Sequence, residues 1–129
     1  MASGRQLLIP LGGPGQWDEQ LVGGKAAKLA ELSLAGFDVP QGFCLTTRAY
    51  EAFVNDAGIA AAISMELGRK SLEDMRWEEL WDAALRIRAA FLAQPLSGLL
   101  RDILGEGLQG FDVSTPLAVR SSAIGEDSA

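Results

Sequence analysis

The chain has 129 residues, 48% of them apolar, and a formal net charge of −6. This length suits one compact domain, and the acidic balance excludes a non-specific nucleic-acid or anionic-membrane surface, which needs a basic face. Histidine is absent, so no imidazole can serve as base, zinc ligand or phosphate carrier within the chain.

Residues 1–16 read as a flexible lead-in: Leu7-Leu8-Ile9 suggests an edge strand, followed by Pro10 and the glycine-rich Gly12-Gly13-Pro14-Gly15. Met1-Ala2-Ser3-Gly4 lacks the features of a signal peptide, and no apolar run approaches a membrane span. The next stretch, Val22-Gly23-Gly24-Lys25-Ala26-Ala27-Lys28-Leu29-Ala30-Glu31-Leu32, predicts a helix opened by two glycines and a lysine and closed at Gly36. A lysine in the first turn has the wrong sign for the helix dipole. An anion would reconcile the two: glycines allow close approach, the helix end supplies N–H donors, and Lys25 adds a full charge. The alternative is a solvated lysine after an ordinary glycine turn.

Two phosphate motifs are excluded. A P-loop needs glycine and a hydroxyl where Glu19 and Ala26 stand. The dinucleotide fingerprint begun by Gly13-Pro14-Gly15 fails at Asp18.

Beyond Gly36 a proline-fixed connection leads to a short buried strand, Phe43-Cys44-Leu45, in which the single cysteine reads as a small apolar residue and leaves the cytosol as default compartment. Thr46 or Thr47 caps a helix carrying Tyr50, Phe53, Val54 and Ala57, and a second short helix spans Ile59 to Leu67. Ser71-Leu72-Glu73-Asp74 resembles a capping box that launches the longest helix. Trp77, Leu80, Trp81, Ala84, Leu85, Ile87, Phe91 and Leu92 form its stripe, read as a core-facing seam in preference to a stacking platform. The carboxylates Glu73, Asp74, Glu78, Glu79 and Asp82 suit the helix dipole and are not read as a metal site. After Pro95, Leu96, Leu99, Leu100, Ile103 and Leu104 predict one more helix, ending at Gly105-Glu106-Gly107. Pro116-Leu117-Ala118-Val119 then reads as a buried strand delivering Arg120 to its end, where a guanidinium could grip phosphate oxygens beside Ser121 and Ser122. The alternative there is a structural salt bridge to Glu126 or Asp127.

Three stretches together, Gly23 to Leu32, Ala35 to Tyr50, and Val119-Arg120-Ser121-Ser122-Ala123 with Glu126-Asp127, closely resemble the ATP-binding N-terminal region shared by phosphoenolpyruvate synthase, pyruvate phosphate dikinase and rifamycin phosphotransferase. The resemblance runs from about Leu21 onward and is least specific in the helical middle. It implies an α+β fold, mostly helical with a small sheet, forming the first lobe of an ATP-grasp-type site over residues 17–129. It also implies that Lys25 and Arg120 contact ATP phosphates, that Gly24 lets the backbone approach, and that Ser121 and Ser122 are weaker candidates that could merely shape the loop. The family's phosphate loop, its second ATP-binding lobe with the magnesium ligands, and its phosphohistidine domain would follow this segment. The chain reads as a fragment, inactive alone, and as a partner of those domains. A stand-alone anion- or partner-binding module is the other reading.

Overall fold

The computed structural model describes residues 7–12 and 17–125. Two short apolar segments pair antiparallel as β1 (Leu8–Pro10) and β2 (Phe43–Leu45), with Leu8 opposite Leu45, Ile9 opposite Cys44 and Pro10 opposite Phe43. The edge strand expected at Leu7-Leu8-Ile9 is therefore part of a sheet, while residues 1–6 and 13–16 of the expected lead-in lie outside the described residues. Pro10, which has no N–H to give, stands at a strand end, where a ladder tolerates it.

The chain divides into two compact units, one of residues 1–50 and 98–129, the other of residues 51–97. In the first, α1 (Glu19–Leu34) lays Val22, Ala26 and Ala27 against Ile9, Leu11, Trp17, Leu21 and Cys44. Small side chains on that face let the helix sit close to the sheet, and Val22 is only 1% exposed. The helix closes as predicted: Gly36 has φ +89°, its N–H donates to Ser33 O, and Phe37 N–H donates to Leu32 O, a Schellman pair. Its start differs. Asp18 caps a first turn, accepting from Gln20 N at 3.0 Å, and the two glycines lie one turn in.

The helix α5 (Gly98–Leu108) runs through Gly105 and Gly107 instead of ending there. A Cβ at Gly107 would lie 2.9 Å from Leu8 Cδ1 and 3.0 Å from the Phe43 ring, so this glycine is the point of closest approach of α5 to the sheet. Packing overrides propensity at that position. Beyond α5, residues 116–123 form no strand, and Val119 is 96% exposed. The buried strand expected before Arg120 is thus corrected to an exposed irregular segment: its backbone has no ladder partner among the described residues, so nothing draws the apolar run inward.

The second unit contains the end of α2 (Thr47–Asp56), α3 (Ile59–Leu67), a 3₁₀ turn at Leu72–Asp74, and α4 (Trp77–Leu92). Ser71 Oγ reaches Asp74 Oδ2 at 2.9 Å, but this closes the 3₁₀ turn and does not launch α4. The long helix starts at Arg76, whose backbone N–H donates to Glu79 Oε2 at 2.9 Å. Its tryptophans are also corrected. Trp77 and Trp81 are 70% and 58% exposed and stack on each other, centroids 5.7 Å apart and planes within 4°. The helix buries Ala83 instead, and of the expected stripe Ile87 and Phe91 are half-buried. Arg86 Nε donates to Glu66 Oε2 at 2.8 Å and Arg69 donates to Oε1 at 3.3 Å, so each oxygen has its own guanidinium. Among the described residues no helix is long and apolar enough to cross a membrane.

Candidate functional site

The first unit's most unusual backbone is at Gly23, which interrupts α1 with φ +79° and ψ 168°. Those angles belong to a region that only glycine enters readily. Gly23 is thereby the N-cap of a second helical segment whose first residues are Gly24, Lys25 and Ala26. An N-cap side chain ordinarily accepts a hydrogen bond from the second or third N–H of its helix, and glycine has none to offer. Ser122 supplies the missing oxygen from far along the chain. Its Oγ accepts from Ala26 N at 3.1 Å and donates to Val22 O at 2.7 Å, while Gly24 N donates to Ala123 O at 3.0 Å. A Cβ on Gly23 would collide with the Ser122 carbonyl and lie 2.6 Å from its Oγ, so the hydroxyl stands where the cap side chain of residue 23 would be.

The Gly-Gly-Lys and Arg-Ser-Ser stretches are therefore joined by three hydrogen bonds. Lys25, half-buried, lies within the joined segment, and the exposed Arg120 precedes Ser122 by two residues. An extended chain advances at most about 3.6 Å per residue, so the Arg120 backbone is within roughly 7 Å of that of Ser122. Two of the helix-end donors expected to receive an anion are otherwise engaged: Gly24 N and Ala26 N already serve Ala123 and Ser122. Ser121 is exposed, next to the joint. Glu126 and Asp127, the expected salt-bridge alternatives for Arg120, lie outside the described residues.

Around this joint the fold is tied down further. Thr47 Oγ1 donates to Gln20 O at 2.9 Å, anchoring the start of α2 to the first turn of α1. Cys44 Sγ lies 3.5 Å from Val22 O, and burial pushes its thiol above the ordinary cysteine range, as suits a packing residue that is not a nucleophile. Among the described residues no group of His, Cys, Asp and Glu could hold a metal ion. Sequence reasoning missed the Glu66 cluster, where Arg69, Lys70, Glu79, Asp82 and Arg86 line a cleft of about 290 Å³ in the second unit. Its cations and carboxylates balance, and Glu66 at 5% exposed is its only buried charge. The one sequence signal for it is an acidic residue late in an otherwise apolar helix.

Residues 19–129 match the pyruvate phosphate dikinase AMP/ATP-binding domain. The chain is 40% identical over 112 residues to the phosphoenolpyruvate synthase of Aeropyrum pernix, covering 83% of this chain and 14% of that protein. It is 32% identical over 108 residues to the rifampicin phosphotransferase of Bacillus cereus, covering 83% of this chain and 12% of that protein. With the phosphoenolpyruvate synthase of Escherichia coli the identity is 33% over 120 residues, covering 88% and 15%. The chain thus spans 12–15% of the length of these relatives. No solved structure gives a significant match. On the extent of these matches, the chain belongs to the pyruvate phosphate dikinase AMP/ATP-binding domain family.

Proposed function

We propose that this chain is the N-terminal lobe, of ATP-grasp type, of the ATP-binding domain of a cytoplasmic phosphoenolpyruvate-synthase-like phosphotransferase, and that Lys25 and Arg120 hold the phosphates of ATP. The observation that carries this reading is the joint itself: three hydrogen bonds tie the segment containing Lys25 to the segment that follows Arg120. Phosphoryl transfer asks a protein chiefly to position the nucleotide and to stabilise charge on the equatorial oxygens, and two cations anchored on one joint suit that task. Gly24 is buried with its N–H on Ala123 O, so in this reading it serves by letting the two segments approach. In this proposal the lobe serves only the first step, from ATP to a carrier histidine on a phosphohistidine domain, because the chain has no histidine. The acceptor, pyruvate or an antibiotic hydroxyl, would be chosen by further domains, as would the second ATP-binding lobe. Magnesium, whose ligands the family resemblance assigns to the second lobe, would be held elsewhere in the full-length enzyme, and no step here runs through it.

The test is phosphorylation of the carrier histidine by labelled ATP in the full-length enzyme. Lys25→Ala and Arg120→Ala are each expected to lower the rate by about 10- to 100-fold at limiting ATP, equivalent to roughly 1.4–2.7 kcal/mol of lost stabilisation each. Unchanged labelling in both variants would end the proposal.

A second reading, a stand-alone module that docks a partner without turnover, draws on the exposed Leu117, Val119 and Ile124 around Arg120. Apolar residues bare in one stretch mark a covered surface. Sedimentation of this chain tests the second reading: a clean monomer without exposed apolar surface would count against it.

A further inference from the structure

The family resemblance makes Ser122 a weaker candidate for phosphate contact, or a residue that merely shapes the loop. We infer that it is instead a positioning residue, the displaced N-cap that sets where Lys25 and Arg120 stand, and that nucleotide reaches it only through those two cations. This rests on the proposed function.

A hydroxyl has one proton to give. In Ser122 that proton goes to Val22 O at 2.7 Å, and the oxygen receives Ala26 N at 3.1 Å. A direct phosphate contact would have to take the proton from Val22 O, leaving that carbonyl only the weaker, longer contact from the Cys44 thiol. The same hydroxyl fills the space that a side chain on residue 23 would need. Gly23 and Ser122 are therefore one device divided between two segments: the glycine makes the turn and clears the space, and the serine caps the helix that begins there. The hydrogen bond to Ala26 fixes the first turn, which carries Lys25, and the backbone bond from Gly24 to Ala123 O fixes the chain just past Arg120. Removing the hydroxyl loosens both cations at once, without removing either.

The experiment is a double-mutant cycle on ATP affinity in the full-length enzyme, using the parent, Ser122→Ala, Lys25→Ala and the double variant. Ser122→Ala is expected to weaken ATP binding about 5- to 10-fold in the parent but only about 2- to 3-fold once Lys25 is gone, since the share of the positioning effect that acts through Lys25 disappears with it while the share through Arg120 remains. Hydrogen exchange at the Ala26 amide gives an independent readout and should speed up at least tenfold in Ser122→Ala. Ser122→Thr, which keeps the hydroxyl, should restore slow exchange and parental affinity, and it serves if the alanine variant does not fold. An equal loss in both backgrounds would make Ser122 a direct ligand and overturn the inference, as would unchanged binding in Ser122→Ala while Lys25→Ala binds weakly. If Lys25→Ala and Arg120→Ala both bind ATP normally, the proposed function falls first and this inference with it.

Discussion

The two units are held together in opposite ways. In the first, segments up to 100 residues apart are joined largely through backbone groups, with one serine hydroxyl as the hinge pin. In the second, α3 and α4 are near neighbours in sequence and meet at a charged cluster around Glu66. A joint of the first kind depends on the absence of side chains, at Gly23 above all, and fails when one is added. A joint of the second kind depends on side chains and fails when one is taken away. The three stretches that carry the family resemblance all lie in the first unit.

The largest expected effect follows from that contrast. Gly23→Ala should destabilise the protein by roughly 3 kcal/mol in urea unfolding, combining strain at φ +79° with collision against the Ser122 carbonyl. A loss below about 1 kcal/mol would mean that the joint can open without cost and is not what holds the unit together. In the second unit, Arg86→Ala leaves one oxygen of a buried carboxylate with its better partner gone. Breaking a fully buried pair costs about 3–5 kcal/mol, but the arginine is about half exposed, so about 2 kcal/mol is expected. Should Glu66→Leu prove equally damaging, the cluster acts through packing and not charge.

Trp81→Gln is expected to cost less than about 1 kcal/mol, since the ring is more exposed than buried and loses mainly its stack on Trp77. The paired indoles should give an excitonic signal in far-ultraviolet circular dichroism that the variant lacks. A larger loss of stability would return Trp81 to the core-facing role that its spacing first suggests.

How far such features are legible in a sequence depends on how local their cause is. The helices over Ile59–Leu67 and Trp77–Leu92 and the stop at Gly36 follow from nearby residues, and the spacing predicts them. Which face α4 buries is not local: it depends on where α3 packs, so the tryptophan part of the stripe misleads while Ile87 and Phe91 are half-buried as its spacing suggests. The segment before Arg120 misleads for a related reason, an apolar run being only half of a strand when the ladder partner is not in the described fold. The candidate site was legible as two motifs, but not the hydrogen-bonded joint between them. Nothing near Gly23 tells that its capping oxygen comes from Ser122, or that two of the helix-end donors are engaged by the chain itself.

The smallest effects sharpen the comparison most, because they turn on sign. Gly105 and Gly107 lie in the same helix, two residues apart, and local propensity treats them alike: alanine at either should favour the helix by about 0.5–1 kcal/mol. The space around them differs. A Cβ at Gly105 would meet nothing within 4 Å, so Gly105→Ala should keep its full gain. At Gly107 the added carbon would press on Leu8 Cδ1 and on the edge of the Phe43 ring. The leucine tip can turn away, but the ring also packs on Phe111, centroids 6.3 Å apart, and has less room to yield. Overpacking of about 1–3 kcal/mol then exceeds the gain, and Gly107→Ala should be less stable than the parent by about 1 kcal/mol. Thermal melts of the two variants decide it: shifts of opposite sign confirm that α5 is seated on the sheet through Gly107, whereas two upward shifts would show that the first unit has slack between its elements.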